Sequence, residues 1–179
     1  MSNTLSVILG SLMALGLAMP AAAAAAPTEL FPNADFETPL DGLPAGVTYE
    51  TEKKNHFIRI TANPAAMVML YKEVNVSGLK LVQIAYRERH HGVVAGAQSW
   101  NSAVVMIDFK DADHKSVPGA TPPPHFSGTS DDWNDQCTAV AVPDGATYLA
   151  VMPTMFNAAA GTFDIDDLHI TAVDTTQKH

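Results

Sequence analysis

The feature of this sequence that most limits its fold is a series of short β-rich runs separated by turn residues. The runs occupy 56–61, 66–76, 79–90, 103–110, 137–142, 147–156 and 162–170. Turn-forming residues interrupt them, for example at Asn63-Pro64, Ser77-Gly78 and Gly161. Strands at this spacing, with no amphipathic helix between them, are typical of all-β domains. The sequence therefore predicts an antiparallel β-sandwich rather than a parallel sheet with crossover helices.

The first 26 residues differ in composition from the rest of the chain. They contain no charged side chain, and an apolar stretch over 5–20 leads into the alanines at 21–26. An apolar core followed by small residues is the pattern of a secretory signal with several possible cleavage positions. Because the start, MSNT, carries no Lys or Arg, an uncleaved membrane anchor is the alternative interpretation.

We therefore divide the chain into a signal peptide (1–26), one β-sandwich domain (27–172) and a short C-terminal tail (173–179). A domain of this length has room for one hydrophobic core. We expect the protein to be secreted, periplasmic or on the cell surface, with no membrane contact after signal cleavage.

The charge balance narrows the choice of partner. Lys and Arg number 10 against 19 Asp and Glu, a formal net charge of −9. Binding to nucleic acid depends on clustered cations that neutralise phosphates, so this balance argues against a nucleic-acid partner. Metal cations and neutral polymers are still possible as binding partners.

The single cysteine, Cys137, excludes an intramolecular disulfide and a zinc site built on thiolates. It lies in the run DQCTAVAV, which has the pattern of a strand and no neighbouring histidine. We therefore predict a buried structural thiol rather than a catalytic Cys–His pair.

Alternation along two strands assigns their faces, because successive side chains of a strand point to opposite sides. The side chains predicted to face the core are Val82, Ile84 and Tyr86 on one strand and Val105, Ile107 and Phe109 on the other. The opposite positions include Gln83, Arg87 and Arg89 on the first strand and Met106 and Asp108 on the second. Such a half-polar face suits either a ligand groove or a solvated outer sheet with a cross-strand ion pair.

Several segments together resemble a known family. NADFETPLDGLP (33–44) is similar to the opening of galactose-binding-like jelly rolls, and GTFDIDDLHI (161–170) is similar to their closing strand. Between them, VVMIDFKDADHK, the strand containing Trp133 and VPDGATYLAVMP resemble the middle of carbohydrate-binding modules of families four, nine and twenty-two. The resemblance spans Phe31 to Ile170. It implies a two-sheet jelly roll of the kind found as a non-catalytic accessory module of bacterial glycoside hydrolases.

The resemblance also implies a structural calcium that joins the first loop to the last strand. Glu37 matches the acidic residue after Phe in the opening motif, and Asp166 matches the first Asp of the closing Asp-Asp pair. Alternation places Asp164 on the same side as Asp166, with Asp167 on the other side. Calcium requires several oxygen ligands, which carboxylates and backbone carbonyls can supply. The alternative is a solvated acidic turn.

Aromatic and planar polar side chains are the candidates for recognising sugar, because sugars present apolar C–H faces and many hydroxyls. Trp100 lies between Gln98 and Asn101 at the start of a strand, where it is either a stacking platform or a packing anchor. In the modules that this chain resembles, the position of Trp133 is structural, so we predict packing there. Arg87, Arg89 and Gln83 could bond hydroxyls or uronate carboxylates.

The sequence contains no H-E-x-x-H motif, G-x-S-x-G nucleophile motif or phosphate-binding glycine loop. A glycosidase needs two carboxylates across a cleft, and the sequence alone pairs none. We therefore expect an exported, non-catalytic module that binds a polysaccharide or oligosaccharide through Trp100, Arg87, Gln83, Arg89, Asp108 and Met106. Two alternatives stay open: a structural or adhesive protein of the cell envelope, and a small polysaccharide-active hydrolase.

The signal segment leads to a first test. Export should remove the chain up to about Ala26, because the alanines at 21–26 offer small residues for cleavage. Intact mass measurement of the exported protein checks this expectation. An exported species that still carries Met1 to Ala26 would contradict it.

Overall fold

The computed structural model describes residues 27–173 and consists of strands and loops in two antiparallel sheets. The predicted signal peptide (1–26) and residues 174–179 of the predicted tail lie outside the described residues. The strands are β1 (Thr28–Glu29), β2 (Val47–Glu52), β3 (Asn55–Thr61), β4 (Val68–Met69), β5 (Lys72–Asn75), β6 (Leu81–Val94), β7 (Ala103–Lys110), β8 (Ser116–Val117), β9 (His125–Phe126), β10 (Gly128–Ala141), β11 (Tyr148–Met155) and β12 (Ala160–Ala172). The prediction of an all-β antiparallel sandwich is confirmed. Within 27–173, no helix has the length and apolarity to cross a membrane.

The first sheet has the strand order β10-β6-β12-β3-β2, with β1 paired to β12. The second sheet has the order β4-β11-β7-β8, with β5 paired to β11 and β9 paired to β7. Every pairing is antiparallel. Strands that are distant in the sequence therefore become neighbours, and the chain's two longest strands, β6 and β10, lie side by side.

The hydrophobic core lies between the two sheets. The alternation predicted for β6 and β7 is confirmed, since Val82, Ile84 and Tyr86 pack in the same cluster as Val105 and Phe109. Burying one such side chain stabilises the fold by about 1.5–3 kcal/mol. The inner faces of the two sheets thus provide the main driving force for folding, and their outer faces are left for other roles.

The two-residue strands β1, β8 and β9 lie outside the runs that the sequence predicts, and two longer strands also depart from the prediction. Strand β2 was not predicted, because VTYETE has three polar positions on its outer side and few apolar residues. Strand β10 begins at Gly128, nine positions before the predicted start at 137, through an acidic segment that pairs with β6. Hydrogen bonding to β6 outweighs the low strand propensity of these aspartates.

The prediction of a buried thiol at Cys137 is wrong, because the side chain is exposed. In the register of β10 and β6, Cys137 is the partner of Ala85, whereas its neighbour Thr138 is the partner of the core residue Ile84. Alternation therefore turns Cys137 to the outer face of the first sheet.

A β-bulge interrupts β12 between Asp166 and His169, at the point where Asp167 adopts a positive φ of 48°. The extra residue shifts the alternation, so that Leu168 is fully buried in the core. Asp167 then accepts a hydrogen bond from Arg87 on the outer face, at 3.0 Å. The prediction that Asp167 points away from the side of Asp164 and Asp166 is therefore wrong, because the bulge redirects it.

Gly161, near the start of β12, provides a test of how closely β12 packs against β6. Its φ is +108°, and an added Cβ would lie 2.6 Å from the Cα of Val93. Gly161→Ala should therefore lower the free energy of unfolding by about 3 kcal/mol or more, from backbone strain and overpacking together. Thermal or chemical denaturation measures the change.

Gly145→Ala is the matched control, since Gly145 also has a positive φ, +85°, but no atom within 4 Å of the added Cβ. Backbone strain alone should cost about 1 kcal/mol there. Equal losses of stability at the two positions would contradict the steric account of Gly161.

Candidate functional site on the outer face of the first sheet

The outer face of the first sheet carries a cluster of aromatic and arginine side chains, which we name the arginine–aromatic face: Phe57, Arg59, Arg87, Arg89 and Trp133. Alternation along β3 sends Ile58 and Ile60 into the core and leaves Phe57 and Arg59 on the outside. The same alternation along β6 places Arg87 and Arg89 there. Antiparallel pairing with β12 and β10 brings these positions together.

Trp133 reaches this face from an irregular part of β10, where the register with β6 shifts between Ser130 and Asn134. The guanidinium carbons of Arg87 and Arg89 lie 5.0 and 4.6 Å from the centre of its ring. The rings of Trp133 and Phe57 also make an edge-to-face contact, with centres 5.5 Å apart. Cation–π and edge-to-face contacts of this kind fix the indole while leaving it half-buried.

Phe57 forms the floor of the face. It is only 2% exposed although it points away from the core. The guanidinium carbons of Arg89 and Arg59 lie 4.9 and 5.6 Å from the centre of its ring. Arginine planes and the indole thus cover a buried aromatic ring, which gives the face an apolar base with polar edges.

Asp164 holds two of the arginines in place. Both nearest cross-strand partners of Asp164 are arginines, Arg59 on β3 and Arg89 on β6. Arg59 donates two hydrogen bonds to the carboxylate, each 2.7 Å long, and Arg89 Nε donates a third at 2.8 Å. Bidentate, charge-assisted bonds of this kind are strong and directional. They orient both guanidinium planes over the sheet.

Hydrogen bonds to carboxylates shift the pKa of two of these arginines. The pKa of Arg59 is raised, chiefly by its hydrogen bond to Asp164. Burial by itself would lower the pKa of Arg89, but hydrogen bonds to Asp164 and Glu52 reverse this and raise it. Arg89 Nη1 donates to Glu52 Oε2 at 2.7 Å. The face therefore presents cations whose charge is largely balanced by neighbouring carboxylates.

A cleft of about 390 Å³ opens on this face, and polar side chains line it: Arg59, Arg89, His90, His91, Ser130, Asp131, Thr162 and Asp164. The ring of His91 bonds Asp131 across the β6–β10 pair at 2.8 Å. The volume is within the range of small-molecule sites. The cleft thus offers hydrogen-bond donors and acceptors, and Arg89, one of its lining residues, also lies over the ring of Trp133.

The predicted ligand residues are distributed over three places. Arg87 and Arg89 belong to the arginine–aromatic face. Gln83 lies on the same sheet face, where its amide donates to the Sγ of Cys137 at 3.0 Å. Asp108 lies on the outer face of the second sheet, bonded to Ser116 and paired with Lys110.

Met106 is two residues from Asp108 on β7 and therefore shares its side of the second sheet. The expectation that Arg87, Asp108 and Met106 share one half-polar face is thus wrong, because the core separates the two sheets. Trp100 lies in the loop between β6 and β7 and is 54% exposed, so it is not a packing anchor.

The predicted calcium ligands have other partners. Glu37 bonds the ring of His56 at 2.9 Å, Asp164 is held by two arginines, and Asp166 accepts from the amide of Asn55 at 2.9 Å. In the part of the chain that the structure describes, no three His, Cys, Asp or Glu side chains are grouped to hold a metal ion. Of these three carboxylates, only Asp164 is hydrogen-bonded to guanidinium groups, which would compete with a cation for its oxygens. Calcium binding stays a prediction from the resemblance.

Sequence reasoning missed Phe57 and Arg59, and it assigned Trp133 a structural role. The signal for the first two was present, since HFIRIT alternates in the same way as the strand that contains Arg87 and Arg89. The position of Trp133 depends on a register shift in β10, which no sequence pattern reveals.

Comparison with known proteins identifies the fold. No protein-family profile and no curated protein sequence matches this chain. Among solved structures, the enzymatically active domain of tailspike protein 4 from bacteriophage CBA120 is similar, with a TM-score of 0.57 and 12% identity, over 81% of this chain and 21% of that chain. The CBM22-1–GH10 modules of a Clostridium thermocellum endo-1,4-β-D-xylanase, complexed with xylohexaose, match with a TM-score of 0.55 and 14% identity, over 82% and 28%.

A third solved structure, a CBM4, matches with a TM-score of 0.50 and 10% identity, over 71% of this chain and 77% of that chain. The chain thus spans less than a third of the tailspike and xylanase chains. At these identities the likeness concerns the fold: this is a jelly-roll β-sandwich of the type found in carbohydrate-binding modules.

The buried carboxyl group of Asp166 leads to a test by pH. Burial raises its pKa above the ordinary 3.8, against hydrogen bonds from Asn55 and the Asp167 N–H that lower it. Between the unfolded and the raised folded pKa, the folded state binds more protons, so this group lowers stability as the pH rises. Relative to wild type, Asp166→Asn should therefore have a higher free energy of unfolding at pH 7 than at pH 4.

Chemical denaturation of both proteins at the two pH values measures this difference. Asp132→Asn is the control, because it removes an exposed carboxylate of the same kind and reports the general effect of one lost surface charge. A relative stability of Asp166→Asn that is constant with pH, or that falls as the pH rises, would contradict the expectation.

Proposed function

We propose that this protein binds a carbohydrate chain on the arginine–aromatic face of its first sheet. The observation that carries the proposal is the cleft in which Asp164 orients Arg59 and Arg89, together with the contact of Arg89 with the ring of Trp133. A sugar ring needs an apolar surface for its C–H face and directional polar groups for its hydroxyls. The indole of Trp133 supplies the first, and the arginines and Asp131 supply the second.

The charge pattern favours a neutral sugar over a uronate. Arg59 and Arg89 are bonded to Asp164, and Arg89 is also bonded to Glu52, so little positive charge is left for an acidic ligand. Hydroxyl groups both donate and accept, which suits a surface of alternating guanidinium and carboxylate groups. We therefore infer that the ligand is a neutral poly- or oligosaccharide.

The comparisons support this class of ligand. One structure that shares the fold contains a CBM22-1 module and is complexed with xylohexaose, and another is a CBM4. The enzymatically active tailspike domain contains a similar fold in about a fifth of its chain, so fold alone does not define the role. The proposed role here is binding, and it rests on the side chains of the face. The apolar segment at 5–20 supports export as part of this proposal.

Substitution of Trp133 tests the proposal. Trp133→Ala should weaken binding of xylohexaose, or of whichever neutral oligosaccharide binds best on a glycan array, by about tenfold or more, because it removes the stacking surface. Isothermal titration calorimetry measures the affinity. Trp133→Phe, which keeps an aromatic ring, should retain most of it.

Met106→Ala is the matched control, because Met106 lies on the outer face of the second sheet and should leave affinity unchanged. Far-ultraviolet circular dichroism checks that each variant is folded. Equal losses for Trp133→Ala and Met106→Ala, or the absence of binding to any glycan by a folded wild type, would overturn the proposal.

A further inference from the structure

The sequence contains a short motif that the proposed binding function does not use. Asn75, Val76 and Ser77 form the pattern Asn-x-Ser, in which x is not proline. No other asparagine of the chain is followed two positions later by Ser or Thr. Asn-x-Ser/Thr is the acceptor pattern for N-linked glycosylation of exported proteins. Because so short a pattern also occurs by chance, its place in the fold decides whether it can be used.

The motif lies at an open edge of the second sheet. Asn75 is the last residue of β5, and β5 pairs with β11 along one side. Within residues 27–173, no strand pairs with the other side of β5. An enzyme can therefore approach Asn75 from that side without displacing a strand.

The side chains of Asn75 and Ser77 are both directed away from the core. Val74 and Val76 alternate with them and belong to the core cluster, at 5% and 0% exposure. Asn75 and Ser77 are themselves exposed. The N–H of Val76 also donates to the carbonyl of Thr147 at 2.8 Å. Buried neighbours and a backbone hydrogen bond thus hold the motif in place while its polar side chains face solvent.

A side-chain turn fixes the orientation of the amide. The Oδ1 of Asn75 accepts a hydrogen bond from the N–H of Ser77 at 2.9 Å. Asparagine favours such turns, in which its side chain bonds the backbone two residues further on. Because the oxygen is held in this way, Nδ2 is the end of the amide that is left for reaction. The chain continues through Gly78, where an added Cβ would meet no atom within 4 Å, so the space beside the motif is open.

We propose that Asn75 is an acceptor site for an N-linked glycan. The donor is a lipid-linked oligosaccharide diphosphate, and an oligosaccharyltransferase of the export membrane performs the transfer. Nδ2 forms a bond to the anomeric carbon of the first sugar and releases one proton to a base of that enzyme. The bond between this carbon and the diphosphate oxygen breaks, and the lipid diphosphate leaves with the electron pair. Modification of Asn75 requires the export proposed above, but not the arginine–aromatic face, which belongs to the other sheet.

Cell-free translation of the full chain with microsomes that contain an oligosaccharyltransferase tests the site. Translocated chains are identified by their protection from added protease, and we expect them to gain the mass of one glycan. An amidase that cleaves between asparagine and the first sugar should remove this mass. Translocated chains without a glycan would overturn the proposal.

Three substitutions separate the chemistry of the motif from its turn. Asn75→Asp keeps an oxygen for the N–H of residue 77 but removes the nucleophilic amide, so it should abolish the gain in mass. Ser77→Ala keeps the backbone N–H that closes the turn and removes the hydroxyl that the acceptor pattern requires, with the same expected result. Ser77→Thr restores a hydroxyl and should be glycosylated. A glycan that persists in Asn75→Asp would overturn the assignment to Asn75.

A second chain distinguishes failure of export from failure of the site. In this chain, residues 1–26 are replaced by a signal sequence that these microsomes are known to translocate. Translocation of this chain alone would contradict the export proposed for residues 1–26, whereas a glycan on its Asn75 would still support the acceptor site. Its translocation without a glycan would overturn the site.

Thermal denaturation shows whether the folded protein accommodates the glycan. The glycosylated protein and the same protein after amidase treatment should have equal melting temperatures, because the side chains of Asn75 and Ser77 are exposed. A clearly lower melting temperature with the glycan attached would mean that the position is not open in the folded protein, and would overturn the proposal.

Discussion

The antiparallel pairing of β12 is the constraint on which the rest of the structure depends. This strand lies inside the first sheet and pairs with β1, β3 and β6. Its alternation sends Phe163 and Ile165 into the core and turns Asp164 and Asp166 outward. One strand therefore both completes the hydrophobic core and supplies the anions that organise the opposite face.

Those anions explain why three arginines can lie so close together on one sheet face. A guanidinium cluster without counter-charges would be repulsive and costly to desolvate. Asp164 compensates Arg59 and Arg89, and the bulge at Asp167 turns a further carboxylate toward Arg87. Because the arginines are held in this way, their planes cover Phe57 and support Trp133. The result is a rigid surface that combines an aromatic plane with satisfied polar groups, as recognition of a sugar requires.

Much of the fold could be predicted, whereas the site could be predicted only in part. The alternation of Val82, Ile84 and Tyr86 correctly assigned the core, and the same pattern placed Arg87 and Arg89 on the outer face. It could not show that Met106 and Asp108 lie on a different sheet, because alternation distinguishes the two sides of a strand but does not assign strands to sheets. Phe57 and Arg59 could have been assigned by the pattern already used for β6. Cys137 could not, since its side depends on the register of β10.

The sequence by itself determined the all-β class and the positions of most strands, because turn residues and period-two alternation are local properties of the chain. Only the tertiary structure decided which side chains meet. Arg59 contacts Asp164 across 105 positions, and Trp133 contacts Arg87 and Arg89 through a register shift between two long strands. Such contacts depend on strand order, register and bulges. These are set by packing of the whole sandwich rather than by any segment alone.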